Sequence, residues 1–168
     1  MTPENIYFKK WKSPVGNLFL YASETHLLGL LFAGDSTDFL KHFKTAQILV
    51  KTNPALKKVV LQLDEYFSGE RKKFDIPVQL AGTDFQKKVW AQLKRVPFGE
   101  TITYKEQAKR MNSIKAVRAV GAANGKNPVA IIIPCHRVVG SNGKLVGYAG
   151  GAKMKSDLLK IEGIHIQS

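Results

Sequence analysis

Apolar positions alternate or run continuously over short stretches near the start of the chain and recur every third or fourth residue near its end, so two regimes of secondary structure are read along it. Residues 6–11, 17–23 and 26–33 have strand lengths and are separated by the turn formers of Ser13-Pro14-Val15-Gly16 and Ser23-Glu24-Thr25. An antiparallel meander is expected. Asn53 stands where it would cap a helix with Pro54 in its first position, and Leu56, Val59, Val60, Leu63 and Phe67 then follow at helical spacing until Gly69. Residues 74–80 read as a further strand, which Pro77 would confine to a sheet edge.

From Thr83 the pattern is helical. Thr83-Asp84-Phe85-Gln86 and Thr103-Tyr104-Lys105-Glu106 both fit a capping box, so each announces a helix start. Phe85, Val89, Trp90 and Leu93 supply the apolar stripe of the first, which Pro97-Phe98-Gly99 ends. Ser113 is expected to cap a third helix reaching about Asn124. If Ala116, Ala119, Val120 and Ala123 face inward there, the 100° step leaves Arg118, Gly121, Ala122 and Gly125 outside, one long cation on a nearly bare surface. Glycine costs about 1 kcal/mol against alanine in a helix interior, so such a stripe makes sense where another surface comes very close. The arrangement reads as a helix-turn-helix, although small residues also line ordinary helix–helix contacts. A last helix over residues 152–161 would set Lys155, Leu158, Leu159 and Glu162 along one face, with Gly163 following as a C-cap.

Length adds a division to this picture. A chain of 168 residues suits one large domain or two small ones, and the change of pattern places the boundary near residue 80, giving domains 1–80 and 81–168. The fold class expected is α/β (α+β): a sheet with helices first, a mainly helical domain second. Without a basic and apolar leader, or an apolar run of about 18 residues, the protein is expected to be soluble, unexported and cytoplasmic. Charge is uneven: residues 1–80 carry 11 Lys and Arg against 8 Asp and Glu, and residues 81–168 carry 15 against 5, within a net charge of +13. A field of that sign attracts phosphate polyanions, although some folded proteins are basic for solubility alone.

Cys135 is the only cysteine. An internal disulfide is impossible, and a zinc site, which commonly takes several thiolates, is not expected. What remains is an inert buried thiol or a nucleophile. About 3 per cent of an ordinary thiol is ionised at pH 7, so a nucleophile needs a base or a positive field, and a pKa lowered by about three units would take roughly 4 kcal/mol of preferential thiolate stabilisation. His136 and Arg137 are the local candidates. Neighbours in an extended segment point opposite ways, so His136 would act through a water or a bent backbone, or else be a hydrogen-bonded structural histidine. Glu162 sits at a helix C-terminus, where the dipole disfavours an anion, about 10 Å from Lys155, so it is either an orienting carboxylate or a solvated charge.

The chain resembles the O6-alkylguanine-DNA alkyltransferases. The likeness runs through Pro97-Phe98-Gly99-Glu100-Thr101, Tyr104, Ala116-Val117-Arg118-Ala119-Val120-Gly121, Asn127-Pro128, Ile133-Pro134-Cys135-His136-Arg137-Val138, Gly147-Tyr148-Ala149-Gly150-Gly151, Lys155 and Glu162-Gly163, covering most of residues 82–165. The resemblance implies a ribonuclease-H-like first domain and a winged helix-turn-helix-like second one. It implies a single-turnover repair reaction in which Cys135 takes the alkyl group from O6 of guanine, and from O4 of thymine, in double-stranded DNA. His136 would then act through water on the thiol, Glu162 would orient His136, and Asn127 would brace the turn. Tyr104 would meet the flipped nucleotide and assist guanine departure, and Arg118 would fill the gap. Tyr148, Ala149 and Lys155 would line the pocket, while Ser113, Gly121 and Ala122 would belong to the DNA-reading surface. No cofactor, metal or membrane is implied, and a monomer is expected. Ala149 departs from a serine of certain members, which puts a side-chain contribution there in doubt.

Overall fold

The three N-terminal stretches pair as an antiparallel meander, β1 (Asn5–Ser13), β2 (Gly16–Ala22) and β3 (Leu27–Phe32), in the computed structural model, which describes residues 2–33 and 36–166. The chain divides into two units, Met1–Ala81 and Gly82–Ser168. A fourth strand was not apparent from the pattern: β4 (Gln47–Leu49) pairs parallel to β1, giving the order β3-β2-β1-β4, so the sheet is mixed rather than wholly antiparallel. Three residues are too few to display a period.

Both faces of this sheet are covered. On one, Ile6, Tyr21 and Leu28 bury against Phe39 and Phe43, carried by the single-turn α1 (Thr37–Leu40) and the 3₁₀ turn after it. Gly29 is required there, since a Cβ on it would stand 2.7 Å from the Phe39 ring. On the other face α2 (Pro54–Phe67) lays down Leu56, Val59, Leu63 and Tyr66. Asn53 caps α2 by accepting from Leu56 N at 2.9 Å, with Pro54 at the first position. Tyr66 takes the buried place expected of Phe67. The strand expected over residues 74–80 reduces to one parallel bridge, Leu27 to Val78. Pro77 has no N–H to donate, and buried Gln62 holds Asp75 by its backbone N–H and carbonyl, drawing the segment toward α2.

In the second unit α3 (Asp84–Leu93) begins in a reciprocal capping box between Thr83 and Gln86. Val89, Trp90 and Leu93 are buried, whereas Phe85, expected on the same stripe, is exposed. The second box is half made. Thr103 accepts from Glu106 N at the start of α4 (Tyr104–Arg110), but the Glu106 carboxylate accepts from Arg110 Nε instead of reaching back. Short strands β5 (Ile102–Thr103) and β6 (Val138–Val139) pair in parallel.

The third helix starts later than expected. A 3₁₀ turn, Ile114–Ala116, intervenes, and α5 runs Val117–Gly125. Ser113 caps neither element: its φ of −132° and ψ of 43° are not the extended geometry of a cap, and its hydroxyl donates to Met111 O. Val120 and Ala123 face inward as expected, but Ala119 is exposed and Gly121 half-buried, so the outer face is Arg118, Ala119, Ala122 and Gly125. The chain ends in α6 (Ala152–Ile161). No helix among the described residues is long and apolar enough to cross a membrane.

Candidate active site

The path from α5 to Cys135 is a succession of tight turns. Asn127 directs it: its Nδ2 donates to Ile133 O at 2.8 Å while its Oδ1 accepts from Val129 N at 3.0 Å. Between these anchors Ile131 is forced to φ 70°, and Ile132 N donates to Ala130 O across it at 2.8 Å. A β-branched residue in that region costs of order 1–3 kcal/mol, so the turn exists because its surroundings impose it. Pro134, at φ −84° and ψ 66°, makes the next reversal, which lets Cys135 N donate to Ile133 O at 2.9 Å. Cys135, His136 and Arg137 then form one 3₁₀ turn. The backbone is bent at the thiol, not extended.

Glu162 is the buried hub beside this turn. A Schellman motif ends α6, with Gly163 at φ 83° donating to Lys160 O and Ile164 N donating to Leu159 O, and it makes Glu162 the C-cap. The Glu162 carboxylate accepts from His136 Nε2 at 2.5 Å, from Arg137 Nε at 2.8 Å and Nη2 at 3.2 Å, and from Gly99 N at 3.1 Å. Burial alone would raise the Glu162 pKa, but His136 and Arg137 bring it down to about 2. An ionised Glu162 places the His136 proton on Nε2. The opposite nitrogen, Nδ1, is buried without a hydrogen-bond partner in the structure. Burial also pulls the His136 pKa below its ordinary value, against Glu162, so the ring is neutral with Nδ1 as its basic atom.

Cys135 is a resting thiol. Burial pushes its pKa up, with Asn127 and the Lys155 charge acting in the opposite direction, which reverses the sign of shift expected for a ready thiolate. Ionisation must therefore coincide with proton transfer to a base. Lys155 is fully buried, and burial lowers its pKa to about 8. Its Nζ donates to Val146 O at 2.9 Å and lies 5.7 Å from the Tyr104 ring centroid and 5.8 Å from that of Tyr148. Tyr104 donates its hydroxyl to the same Val146 carbonyl at 3.0 Å. The Tyr104 ring also walls an open, largely apolar cavity of about 540 Å³ with Ile114, Val117, Gly121, Val146 and Gly147.

Cys135, His136, Asn127, Lys155, Glu162, Tyr104 and Tyr148 are thus neighbours through contacts or charge. Arg118 and Ala122 stand exposed on α5, Gly121 beside Tyr104, Ser113 before the turn, and Ala149 exposed in the segment leading to α6. Sequence reasoning missed Arg137 as a Glu162 partner, as well as the Gly99 N–H and the Val146 carbonyl. The last two are backbone groups that no residue type announces. Among the described residues no cluster of His, Cys, Asp or Glu could hold a metal ion.

A lone cysteine on a tight turn, next in sequence to a buried histidine–carboxylate pair and following two helices joined by a short turn, is the type of site and domain in which a cysteine nucleophile and nucleic-acid binding are to be sought. Residues 84–164 match the DNA binding domain of 6-O-methylguanine DNA methyltransferase and residues 6–80 match its ribonuclease-like domain. The chain belongs to that family. It is 45% identical over 161 residues to a methylated-DNA–protein-cysteine methyltransferase of Methanosarcina acetivorans, covering 94% of this chain and 99% of the relative. The constitutive enzyme of that name from Bacillus subtilis is 42% identical over 160 residues, covering 94% and 96%. Mycobacterium tuberculosis OGT, solved in complex with DNA, superimposes with a TM-score of 0.83 at 40% identity, covering 93% of this chain and 92% of that one.

Proposed function

We propose that this chain repairs alkylated double-stranded DNA by moving a methyl or larger alkyl group from O6 of guanine, and from O4 of thymine, onto Cys135, once per molecule. The observation that carries this reading is the buried Glu162–His136 pair, with His136 Nδ1 left as the basic atom on the turn that presents the thiol. The Cys135 proton passes through a water to His136 Nδ1, and Glu162 stabilises the imidazolium that forms. The sulfur–carbon bond forms as the O6–carbon bond breaks, the electron pair stays on O6, and the restored guanine, still attached to its strand, takes up a proton on the adjacent ring nitrogen. The alkylated base carries its own leaving group, so the reaction draws on no cofactor. The thioether has no easy reverse step.

O6 is not open to attack within the stack, so the nucleotide must be extruded at a cost of a few kcal/mol, which an inserted side chain offsets. Arg118 enters the stack, and Tyr104 meets the displaced nucleotide, exchanging its bond to Val146. Ser113, Gly121 and Ala122 lie along the surface that approaches the minor groove. Tyr148, Ala149 and Lys155 line the base pocket, with the Lys155 charge supporting the thiolate, and Asn127 holds the turn. Residues 1–80 act as scaffold and residues 81–168 as the DNA-binding and acceptor domain of a cytoplasmic monomer. Incubation with labelled methylated duplex tests the reading: label should move to Cys135 in a 1:1 limit. Binding without transfer would make the protein a lesion binder, and more than one turnover would make it a different enzyme.

A further inference from the structure

Helices α4 and α5 touch along one row of positions. Tyr104 and Gln107 stand three residues apart on α4, as Gly121 and Asn124 do on α5. At the first level a Cβ on Gly121 would lie 3.7 Å from Tyr104 Cδ1, so the ring rests against almost bare helix. At the second level two amides close a reciprocal pair: Gln107 Nε2 donates to Asn124 Oδ1 at 2.9 Å, and Asn124 Nδ2 donates to Gln107 Oε1 at 2.7 Å. Both residues are buried, Gln107 completely.

Stability is not the natural reason for this pair. Two aliphatic side chains could fill the same space without removing four polar groups from water. What the amides add is direction, because two opposed hydrogen bonds admit one register, whereas aliphatic contacts tolerate sliding and rotation. The register has a fixed origin, since Trp90 Nε1 donates to the carbonyl of the adjacent Ala123 at 2.8 Å and ties that end of α5 to α3. Counting back from Asn124 in threes along α5 gives Gly121 and then Arg118, and exposure rises from buried to half-buried to exposed. The amide pair therefore sets the phase between the helix that bears Tyr104 and the helix that bears Arg118.

We infer that Gln107 and Asn124 are positioning residues that keep Tyr104 and Arg118 in step for nucleotide displacement, an inference resting on the repair reading and on the roles given to those two side chains. Reaction on a duplex needs both at once, while reaction with free O6-alkylguanine base needs no displacement. Loss of the pair should therefore be selective for duplex.

The test replaces both amides, Gln107→Leu with Asn124→Leu, and compares single-turnover transfer to Cys135 from alkylated duplex and from free O6-alkylguanine, alongside thermal unfolding. The expected result is a melting temperature no lower than that of the parent, a free-base rate within about twofold, and a duplex rate lower by about tenfold or more, as small misplacements of reacting groups produce. The exchanged pair, Gln107→Asn with Asn124→Gln, can remake both bonds and should recover most of the duplex rate. Equal losses on both substrates, an unchanged duplex rate, or an exchanged pair no better than the leucine pair would each overturn the inference. A leucine pair that does not fold would overturn it too, because it would assign the amides to stability. If the parent protein labels Cys135 with neither substrate, the repair reading falls and the inference with it; selective failure of the variants leaves that reading intact.

Discussion

Replacing Glu162 by glutamine keeps the shape of the hub and removes its charge. Four donor contacts, from His136 Nε2, Arg137 Nε and Nη2, and Gly99 N, now meet two carboxylate oxygens. An amide offers one oxygen and turns its NH₂ toward the donors at the other position, so the Arg137 guanidinium loses one of its two contacts there and the neutralising charge, keeping the other contact, the Val96 carbonyl, at 2.7 Å, and the Phe98 ring, at 5.8 Å. Breaking a buried ion pair from one side costs about 3–5 kcal/mol, which in a protein of this size lowers Tm by roughly 6–20 °C. The same change frees the His136 proton to move to Nδ1, and transfer to Cys135 should slow by about a hundredfold. Adding Arg137→Met removes the stranded cation and should recover about 2 kcal/mol without recovering the rate, because His136 still lacks its carboxylate. Acid titration supplies a further readout. The Glu162 pKa is about 2 in the folded protein against an ordinary 4.5, so its contribution is complete above 4.5 and lost as pH falls toward 2. His136 acts in the same direction: its pKa is lowered by burial, so protons bind the unfolded chain more readily below 6.5 and stability declines there. Unfolding and single-turnover transfer measured from pH 3 to 8 check both. A glutamine variant that melts with the parent, or a double variant that transfers at the parent rate, would refute the hub.

Arg118→Ala should slow repair of duplex DNA far more than reaction with free alkylguanine base, and equal losses would remove Arg118 from the stack. Lys155→Met should raise the pH needed for transfer and abolish a break near pH 8 in the rate profile, where Lys155 loses its proton; an unchanged profile would separate Lys155 from the thiolate. Affinity for DNA should fall steeply with salt and vary little with sequence, as the net charge of +13 implies, and a flat response would argue against phosphate contacts. Protein alkylated on Cys135 should melt below the unmodified form, since the adduct enlarges a side chain in a tightly turned, partly buried segment; differential scanning calorimetry of the spent protein decides this.

Much of the fold was legible where local chemistry is strong. The Asn53-Pro54 start of α2, the Thr83–Gln86 box and the span of α6 are set by neighbouring residues, and the pattern of the chain announces them. The misses have more than one cause. Gln62 draws residues near Asp75 away from a regular strand, Glu106 turns to Arg110, and Ser113 follows Asn112, whose φ of 54° already ends α4. The exposed row on α5 was misread at Ala119 because alanine and glycine carry too little hydrophobicity to fix a helix's rotation. Bonds from Gln107 to Asn124 and from Trp90 to Ala123 hold α5 instead, and nothing in any of these residues' neighbourhoods announces its partner.

The site was legible as composition and illegible as direction. Cys135, His136 and Glu162 could be picked out as a candidate group, and the structure brings them together, but the relation of His136 to its neighbour depends on backbone shape. In an extended chain Cys135 and Arg137 would share one side, with His136 opposite. In the 3₁₀ turn successive side chains diverge by about 120°, which lets His136 and Arg137 reach the two Glu162 oxygens while the thiol is sent elsewhere. The turn itself follows from Pro134 and from the strained Ile131 held by Asn127, so the reactivity assigned to Cys135 depends on residues that carry no chemistry of their own. Arg137 then acquires a meaning that adjacency could not give it. Together with His136 it holds Glu162 ionised, and an ionised Glu162 keeps the His136 proton on Nε2 and off Nδ1.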